Sequence, residues 1–279
     1  MLKLGRYWAG IIIIMVIGFG CSRWNKEPEW VEKAKLTYKK LDNEAEFVTI
    51  EEVPVVRKVR FLQAEDKVVK EYTHLRQIAL IRHGEPNLLK SGKFTYEDAK
   101  TYIKNYDSVG IIMPQDPFFN IAPDEDIAFF SSTINRARST AEYLFGTDRM
   151  VSTNEDFREF ERKISSRNPK VKLPLKYWTT SARILWMLGI GDGGIESFAD
   201  AKARAKRGAD VLAGTANNHQ KVVLVAHGFL NRYIKKELEK DGWFEIRDGG
   251  TNYFATTILG KLYDSPPQAK KDSLSLAVD

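Results

Sequence analysis

The sequence predicts an α/β fold, a three-layer sandwich in which a mostly parallel sheet carries helices on both faces. The apolar runs at 77–82 and 222–226 are continuous rather than alternating, which is typical of strands buried on both faces. Segments of helical periodicity alternate with such runs, as in parallel sheets. The chain has 279 residues, 43% of them hydrophobic, enough to bury a sizeable core.

The elements follow from local patterns, taken in chain order. Residues 30–47 predict either a tether or a short amphipathic helix, and the valine-rich stretch 46–63 predicts a hairpin with Pro54 at an edge or turn. Thr95 is an expected N-cap, with acidic residues in the first turn after it. The other predicted elements are the strand 127–131, the helices 134–145 and 197–214, and a last strand within 253–259.

The N-terminus predicts a targeting segment. Lys3 and Arg6 precede an apolar run from Tyr7 to Gly20, which has the length of a signal-peptide core and is short for a membrane span. Cys21, the only cysteine, follows directly, so the stretch resembles the cleavage site of bacterial lipoproteins. That resemblance implies a lipid anchor at Cys21 in the bacterial cell envelope, on the periplasmic or outer face. An uncleaved membrane anchor is the alternative.

The expected domain organisation has four parts. Residues 1–20 form a signal peptide and 21–75 a lipidated tether and N-terminal extension. Residues 76–262 form the catalytic domain, and 263–279 a loose tail rich in Pro and Ser. The formal charge of +6 is spread along the chain. This charge favours an anionic small substrate or membrane surface, and not nucleic acid, which usually requires a clustered basic face.

Candidate site residues stand where predicted strands end. Two strands run into His-Gly, at His83 and at His227-Gly228, and Arg82 precedes the first histidine. Arg136 opens the helix after a third strand. Ligands of open parallel sheets bind beyond the carboxyl ends of the strands, so we expect these side chains to meet there. The sequence therefore predicts two imidazoles and two guanidiniums at one edge of the sheet.

This combination of side chains indicates phosphoryl chemistry. A guanidinium matches phosphoryl oxygens in a bidentate way, and a neutral imidazole is a nucleophile that can attack phosphorus. A second imidazole can stabilise charge that develops in the transition state. Because arginines and histidines supply the charge instead of clustered carboxylates, we expect no metal and no cofactor.

The chain resembles the histidine phosphatase superfamily, which has the phosphoglycerate mutase-like fold. The resemblance spans 76–262 and rests on the stretches LIRHGE, SSTINRARSTAE, ESFADAKAR and VLVAHGFLNRYI, in that order. It implies that His83 forms a phosphohistidine. Arg82, Arg136 and His227 would complete the phosphate pocket, with Gly228 beside it.

The resemblance also implies a glutamate proton donor after the third strand. Glu159 is the best match and Glu161 the second. The Trp-Asn pair that mutase members carry after the first histidine is absent, since Glu85 is followed by Pro86 and Asn87. The sequence thus favours a phosphomonoesterase acting on a small phosphorylated substrate. A mutase-type phosphoryl transferase and a non-catalytic, phosphate-binding lipoprotein are the alternatives, and the oligomeric state is left open.

One competing motif indicates a different class of function. Residues 189–194 fit Gly-x-Gly-x-x-Gly, a pattern found in dinucleotide-binding proteins. That motif must follow a buried strand, whereas the preceding residues 182–188 have large side chains at helical spacing. We therefore expect a helix that ends in glycine.

Overall fold

The computed structural model describes residues 27–267, apart from 51–52, 57, 89–90, 116–117, 122–125, 162–163, 165–168 and 191–195. Cys21, the apolar run before it and residues 268–279 lie outside this range, so the predicted signal peptide and lipid anchor stay predictions. Within the described part of the chain, no helix combines the length and the apolar character needed to cross a bilayer.

The centre of the fold is a mixed sheet of six strands. They are β3 (Leu75–Arg82), β5 (Ile127–Ser132), β6 (Val151–Asn154), β8 (Lys221–Ala226), β9 (Phe244–Arg247) and β10 (Thr256–Leu262). Their order across the sheet is β6-β5-β8-β3-β10-β9. The first four are mutually parallel, β10 is antiparallel to β3, and β9 is antiparallel to β10. The predicted mostly parallel sheet is confirmed, with one antiparallel strand, β10, between β3 and the edge strand β9.

Helices cover both faces of this sheet. Alternate residues of β3 point to opposite sides, so Ala79 and Ile81 pack in one core and Ile78 and Leu80 in the other. The first core includes α1 (Glu29–Glu44) and α3 (Asn135–Phe145), and the second includes α5 (Phe198–Thr215) and α6 (Gly228–Lys240). The three-layer arrangement predicted from the sequence is therefore confirmed.

A smaller unit is built from α2 (Tyr96–Tyr106) and α4 (Leu175–Met187), with the short paired strands β4 (Lys93–Phe94) and β7 (Leu173–Pro174). Its own core contains Tyr96, Ala99 and Trp178. As predicted, Thr95 caps α2: its hydroxyl accepts a hydrogen bond from the Asp98 amide, and the Asp98 carboxylate accepts one from the Thr95 amide. We call α2 and α4 the cap helices.

The N-terminal extension is folded against the domain. Of the two alternatives for residues 30–47, the structure has the helix: α1 buries Val31, Ala34 and Tyr38 in the same core as β3. The part of the N-terminal extension from Glu29 onward therefore belongs to the folded domain. The predicted hairpin is confirmed as β1 (Phe47–Ile50) paired with β2 (Val53–Val56).

The chain after β10 starts as an ordered segment, unlike the loose tail predicted from 263 onward. The Tyr263 amide donates to the His74 carbonyl at 3.0 Å, and Arg76 donates to the Ser265 carbonyl at 2.8 Å. These two hydrogen bonds hold residues 263–265 in place, although the composition of the segment alone predicts a loose tail. Residues beyond 267 are outside the described range.

The glycines at 189–194 follow a helix, as expected. Gly189 has φ +69°, its amide donates to the Trp186 carbonyl, and the Ile190 amide donates to the Leu185 carbonyl at 2.8 Å. This pair of bonds is the Schellman arrangement that closes helix C-termini. Because α4 precedes the motif in place of a strand, the structural context of a dinucleotide-binding loop is missing.

Candidate active site

The two His-Gly sequences lie side by side because their strands are neighbours. In the parallel pairing of β3 with β8, Arg82 is opposite Ala226, so His83 and His227 leave the sheet together. The His83 amide donates to the Ala226 carbonyl at 2.9 Å, which fixes the first histidine beside the second strand. The centres of the two imidazole rings are 5.2 Å apart. The sheet register thus brings together the histidines that the sequence indicated.

His83 is buried, with 2% of its surface exposed, and its ring orientation is set by a local hydrogen bond. Its Nδ1 lies 2.8 Å from the Gly84 carbonyl oxygen. A carbonyl oxygen only accepts hydrogen bonds, so Nδ1 carries the proton. Nε2 then keeps its lone pair, and this nitrogen accepts a hydrogen bond from Arg136 Nε at 3.1 Å. The available nucleophilic atom is therefore Nε2.

Arg136 joins the two histidines. It is fully buried at the start of α3, and its Nη2 lies 3.2 Å from His227 Nδ1. Because a guanidinium only donates, His227 Nδ1 accepts this bond and Nε2 carries the proton. That proton points to Ser132 Oγ at 2.9 Å. Arg136 thus donates to both imidazoles, and the other ring nitrogen of each has an acceptor, the Gly84 carbonyl for His83 and Ser132 Oγ for His227.

The end of α2 holds this arginine in place. Arg136 Nη1 donates to Asp107 Oδ1 at 2.6 Å and to the Tyr106 carbonyl at 2.8 Å. The Tyr106 ring lies under the guanidinium, 4.3 Å from its central carbon. A buried charge needs such partners, since removing it from water costs several kcal/mol. Asp107 lies in a segment without a recognisable motif, so the sequence alone does not indicate its role.

Arg82 lies over the N-terminus of α6. Its guanidinium stacks on the Tyr253 ring at 4.1 Å and donates to the Thr251 carbonyl. A Cβ on Gly228 would come within 3.1 Å of Arg82 Cδ, so glycine there allows the arginine to lie close to the helix. Arg82 is half-exposed, unlike Arg136, and faces the cleft described below.

Gly84 and Thr140, two further residues of the motifs, have structural roles at the site. The Gly84 amide donates to Thr140 Oγ1 at 2.8 Å, and that hydroxyl donates to the Arg136 carbonyl at 2.7 Å. A Cβ on Gly84 would lie 2.4 Å from the Phe254 ring. The glycine is therefore required by close packing, and the threonine ties the histidine strand to the arginine helix.

A cleft of about 480 Å³ opens beside these groups. Arg82, His83 and Gly228 line what we call its inner end. What we call its outer end is lined by Arg183 of α4, by Phe229, Arg232 and Lys235 of α6, and by Asp248. Arg136 and His227 are fully buried behind His83. The cleft therefore joins the predicted phosphate-binding residues to a second group of charged side chains.

Of the two candidate proton donors, only Glu159 lines the cleft. It is half-buried, and its Oε1 accepts the Phe160 amide at 2.9 Å, whereas Glu161 is exposed and absent from the lining. The loop that precedes Glu159 is held by Arg204, which donates to the Asp156 and Arg158 carbonyls. The Arg204 guanidinium also pairs with both carboxylate oxygens of Glu196.

The structure adds residues that sequence reasoning had not assigned. Glu196 and Arg204 lie within the stretch ESFADAKAR and Ser132 within SSTINRARSTAE, but neither stretch indicates what these side chains contact. Arg232 lines the cleft and forms no ion pair with another described residue. The amphipathic pattern of α6 could have indicated this outward face. Among the described residues, no group of three or more His, Cys, Asp or Glu is placed to hold a metal ion.

A family model described as the histidine phosphatase superfamily (branch 1) matches residues 118–262, just over half of the chain. The chain belongs to this superfamily. The matched range includes Arg136, Glu159 and His227. His83 precedes it and is brought to the superfamily's motifs by the pairing of β3 with β8.

Solved structures similar to this chain include a mycobacterial glucosyl-3-phosphoglycerate phosphatase, at 19% identity and a TM-score of 0.39, covering 67% of this chain and 90% of its own. Mycobacterial hydrolase 1 is 18% identical with a TM-score of 0.40, covering 70% and 99%. A mutant phosphoserine phosphatase from Entamoeba histolytica, in complex with phosphoserine, is 16% identical with a TM-score of 0.37, covering 70% and 98%. No curated protein matches the chain.

Proposed function

We propose that this member of the superfamily is a phosphomonoesterase whose nucleophile is Nε2 of His83. The observation that supports this most is the hydrogen bond from His83 Nδ1 to the Gly84 carbonyl, which leaves the Nε2 lone pair available. A nucleophile held in the correct tautomer by a fixed acceptor needs no reorientation before attack.

In the first step, the Nε2 lone pair attacks phosphorus and the bond from phosphorus to the ester oxygen breaks. The leaving alkoxide takes a proton from the Glu159 carboxylic acid, so an alcohol departs and a phosphohistidine remains. In the second step, a water oxygen attacks phosphorus while the Glu159 carboxylate accepts the water proton. The bond from Nε2 to phosphorus breaks, which releases phosphate and restores the imidazole.

Arg136 and His227 stabilise the charge that spreads over the phosphoryl oxygens. When the phosphoryl group binds, Arg136 exchanges its hydrogen bonds to the two imidazoles for bonds to oxygen. Charge-assisted bonds of this kind are roughly twice as strong as neutral ones. Arg82 approaches from the open side, and the amides at the start of α6 add donors for an anion.

Hydrolysis is favoured over a mutase reaction because Glu85, Pro86 and Asn87 replace the Trp-Asn pair of mutase members. The intact set of His83, Arg136, His227 and Arg82 disfavours a purely binding role. Release of p-nitrophenol from p-nitrophenyl phosphate by the purified protein, unaffected by EDTA, is the expected result. A folded protein that binds phosphate but turns over neither this ester nor alkyl phosphates would contradict the proposal.

We propose in addition that the enzyme is attached to a bacterial membrane through a lipid on Cys21. Support comes from Lys3 and Arg6, the apolar run and the sole cysteine directly after it. One acyl chain alone binds membranes only marginally, so a diacylglycerol is expected. Labelled fatty acid should be incorporated by the wild type and not by Cys21→Ala. An intact mass showing residues 1–20 retained on membrane-bound wild type would favour the uncleaved anchor.

A further inference from the structure

The chain enters the folded domain at the edge of the sheet opposite the active site. Glu29 and Trp30, at the start of α1, line a groove of about 800 Å³ together with His74, just before β3, and Tyr263, just after β10. From this groove β3 runs to the active site, and its eight residues span about 23 Å at about 3.3 Å per residue. The entry point of the chain and the cleft are therefore at opposite ends of the sheet.

The length of chain between Cys21 and this edge is short. Glu27 is held beside α1, because its carboxylate accepts hydrogen bonds from Lys35 Nζ at 2.7 and 2.8 Å. Cys21 and Glu27 are six residue steps apart, which a fully extended chain covers in about 20 Å at about 3.5 Å per residue. This reach is shorter than β3. A lipid on Cys21 therefore holds the groove close to the bilayer and does not allow the opposite edge, with the cleft, to face it.

Two lysines of the groove are available to an anionic surface. Lys67 and Lys70 both line the groove and are exposed, and neither forms an ion pair with another described residue. Lys33, the third lysine of the lining, pairs with Glu29 at 2.9 Å. Lysines close to a leaflet that contains anionic lipids are attracted by its negative surface potential.

The other side chains of the groove are compatible with this surface. Glu71, the second glutamate of the lining, lies 3.1 Å from His74 Nε2, so the three lysines and two glutamates leave an excess of one positive charge. Trp30 and Tyr72 are half-buried in the same lining. Tryptophan and tyrosine are the side chains that membrane proteins enrich at the level of the lipid headgroups.

We propose that the surface formed by Trp30, Lys33, Lys67, Lys70 and Tyr72, which we call the basal surface, lies on a bilayer that contains anionic lipids. The inference rests on the membrane attachment through Cys21 proposed above and is independent of the phosphomonoesterase function. It adds the orientation of the attached protein. The cleft then opens away from the bilayer, so phosphate esters in solution reach it and headgroup phosphates of the same bilayer do not.

The test measures which end of the full-length, lipid-anchored protein approaches the bilayer. A fluorophore is attached to Ala64→Cys, in the groove, or to Thr180→Cys, which is exposed on the helix that brings Arg183 to the cleft. The thiol of a lipidated Cys21 is alkylated and takes no label. In vesicles of phosphatidylcholine and phosphatidylglycerol, nitroxide-bearing lipids should quench the label at position 64 several times more strongly. Equal quenching at the two positions, or stronger quenching at 180, would overturn the proposal.

A second pair of variants tests the lysines in the Ala64→Cys protein. Lys67→Gln combined with Lys70→Gln should lower the quenching to the level seen in vesicles of phosphatidylcholine alone. Lys39→Gln combined with Lys40→Gln, which removes the same charge from exposed positions of α1 outside the groove lining, is the matched control and should change nothing. Equal quenching in both combinations would show that the basal surface does not bind anionic headgroups.

The same samples separate this inference from the proposals on which it could be confused to depend. Protein that carries a lipid and remains on the vesicles, but shows no difference between the two label positions, refutes the orientation alone. An intact mass without lipid on Cys21 refutes the attachment and the orientation together. Turnover of p-nitrophenyl phosphate, measured on the same vesicles, reports on the phosphomonoesterase function independently of both.

Discussion

The two ends of the cleft are built differently. At the inner end, His83 and His227 follow adjacent strands, and Arg136 opens the helix after a third strand. At the outer end, Arg183 and Arg232 extend from two helices, α4 and α6. Strand register fixes the first group within a buried network, while the second group depends on how helices pack. We therefore expect short sequence motifs to determine the reaction, and tertiary packing to determine which substrates are preferred.

Burial follows the same division. Arg136 and His227 are fully buried, whereas Arg232 is exposed. Side-chain substitutions at the inner end should therefore lower the activity toward all substrates. Substitutions at the outer end should lower the activity toward some substrates more than toward others.

Replacing the nucleophile should have the largest effect. His83→Ala should lower kcat for p-nitrophenyl phosphate at least about a thousandfold, because no other group can form the covalent intermediate. His219→Ala is the control, since that histidine pairs with Asp126 just before β8 begins, at the other end of this strand from His227. Near-normal turnover by folded His83→Ala protein would show that His83 is not the nucleophile.

Replacing Glu159 should separate two classes of leaving group. Glu159→Gln should slow hydrolysis of an alkyl phosphate by about a hundredfold or more, because an alkoxide needs a proton to leave. An aryl phosphate should be slowed far less, because an aryloxide leaves without one. Glu161→Gln, which changes an exposed neighbour outside the cleft, should affect neither. Equal slowing of both substrates by Glu159→Gln would transfer the donor role to another group.

Removing the Arg136 guanidinium should lower kcat/KM for every substrate to a similar extent. Arg136→Ala should lower kcat/KM about a hundredfold, equivalent to about 3 kcal/mol of transition-state stabilisation. Arg138→Ala, two residues further along α3 and exposed, is the matched control. Thermal unfolding of both variants distinguishes lost chemistry from lost structure. A loss no larger than that of Arg232→Ala would mean that the inner end is assigned wrongly.

Asp107 should have a smaller, indirect effect through Arg136. Asp107→Asn keeps the shape but removes the charge that holds Nη1, and because Asp107 is 54% exposed its attraction is screened. We expect kcat/KM to fall about fivefold for all substrates, with the difference shrinking at high salt. A change confined to one class of substrate would contradict this positioning role.

The inner end could be predicted from the sequence because its residues are next to strand ends in the chain. Continuous apolar runs located β3 and β8, and the rule for parallel sheets placed His83 and His227 together. The reversed direction of β10 could not be predicted, since the sequence of a short strand carries no signal of its direction. The sequence does not decide whether α1 packs on the domain, because its three buried residues, Val31, Ala34 and Tyr38, are surrounded by lysines and glutamates.

The residues missed were those that act across long sequence distances. Asp107 meets Arg136 only because the cap helices fold over the sheet edge, and Arg183 reaches Phe229 in the same way. Neither contact leaves a local pattern. The Arg204–Glu196 pair was visible as a motif, but its purpose, holding the loop before Glu159, follows only from the three-dimensional contacts.

The central claim is that the phosphoryl group passes through His83 Nε2. The most direct measurement is rapid quenching of the wild type during turnover of a phosphate ester, in alkali because phosphohistidine is acid-labile, followed by mass spectrometry of its peptides. We predict one added phosphoryl group on the peptide that contains His83, absent from His83→Ala protein. Phosphate found on another residue, or active enzyme on which no phosphoenzyme is trapped while phosphate is released in a single step, would contradict the account.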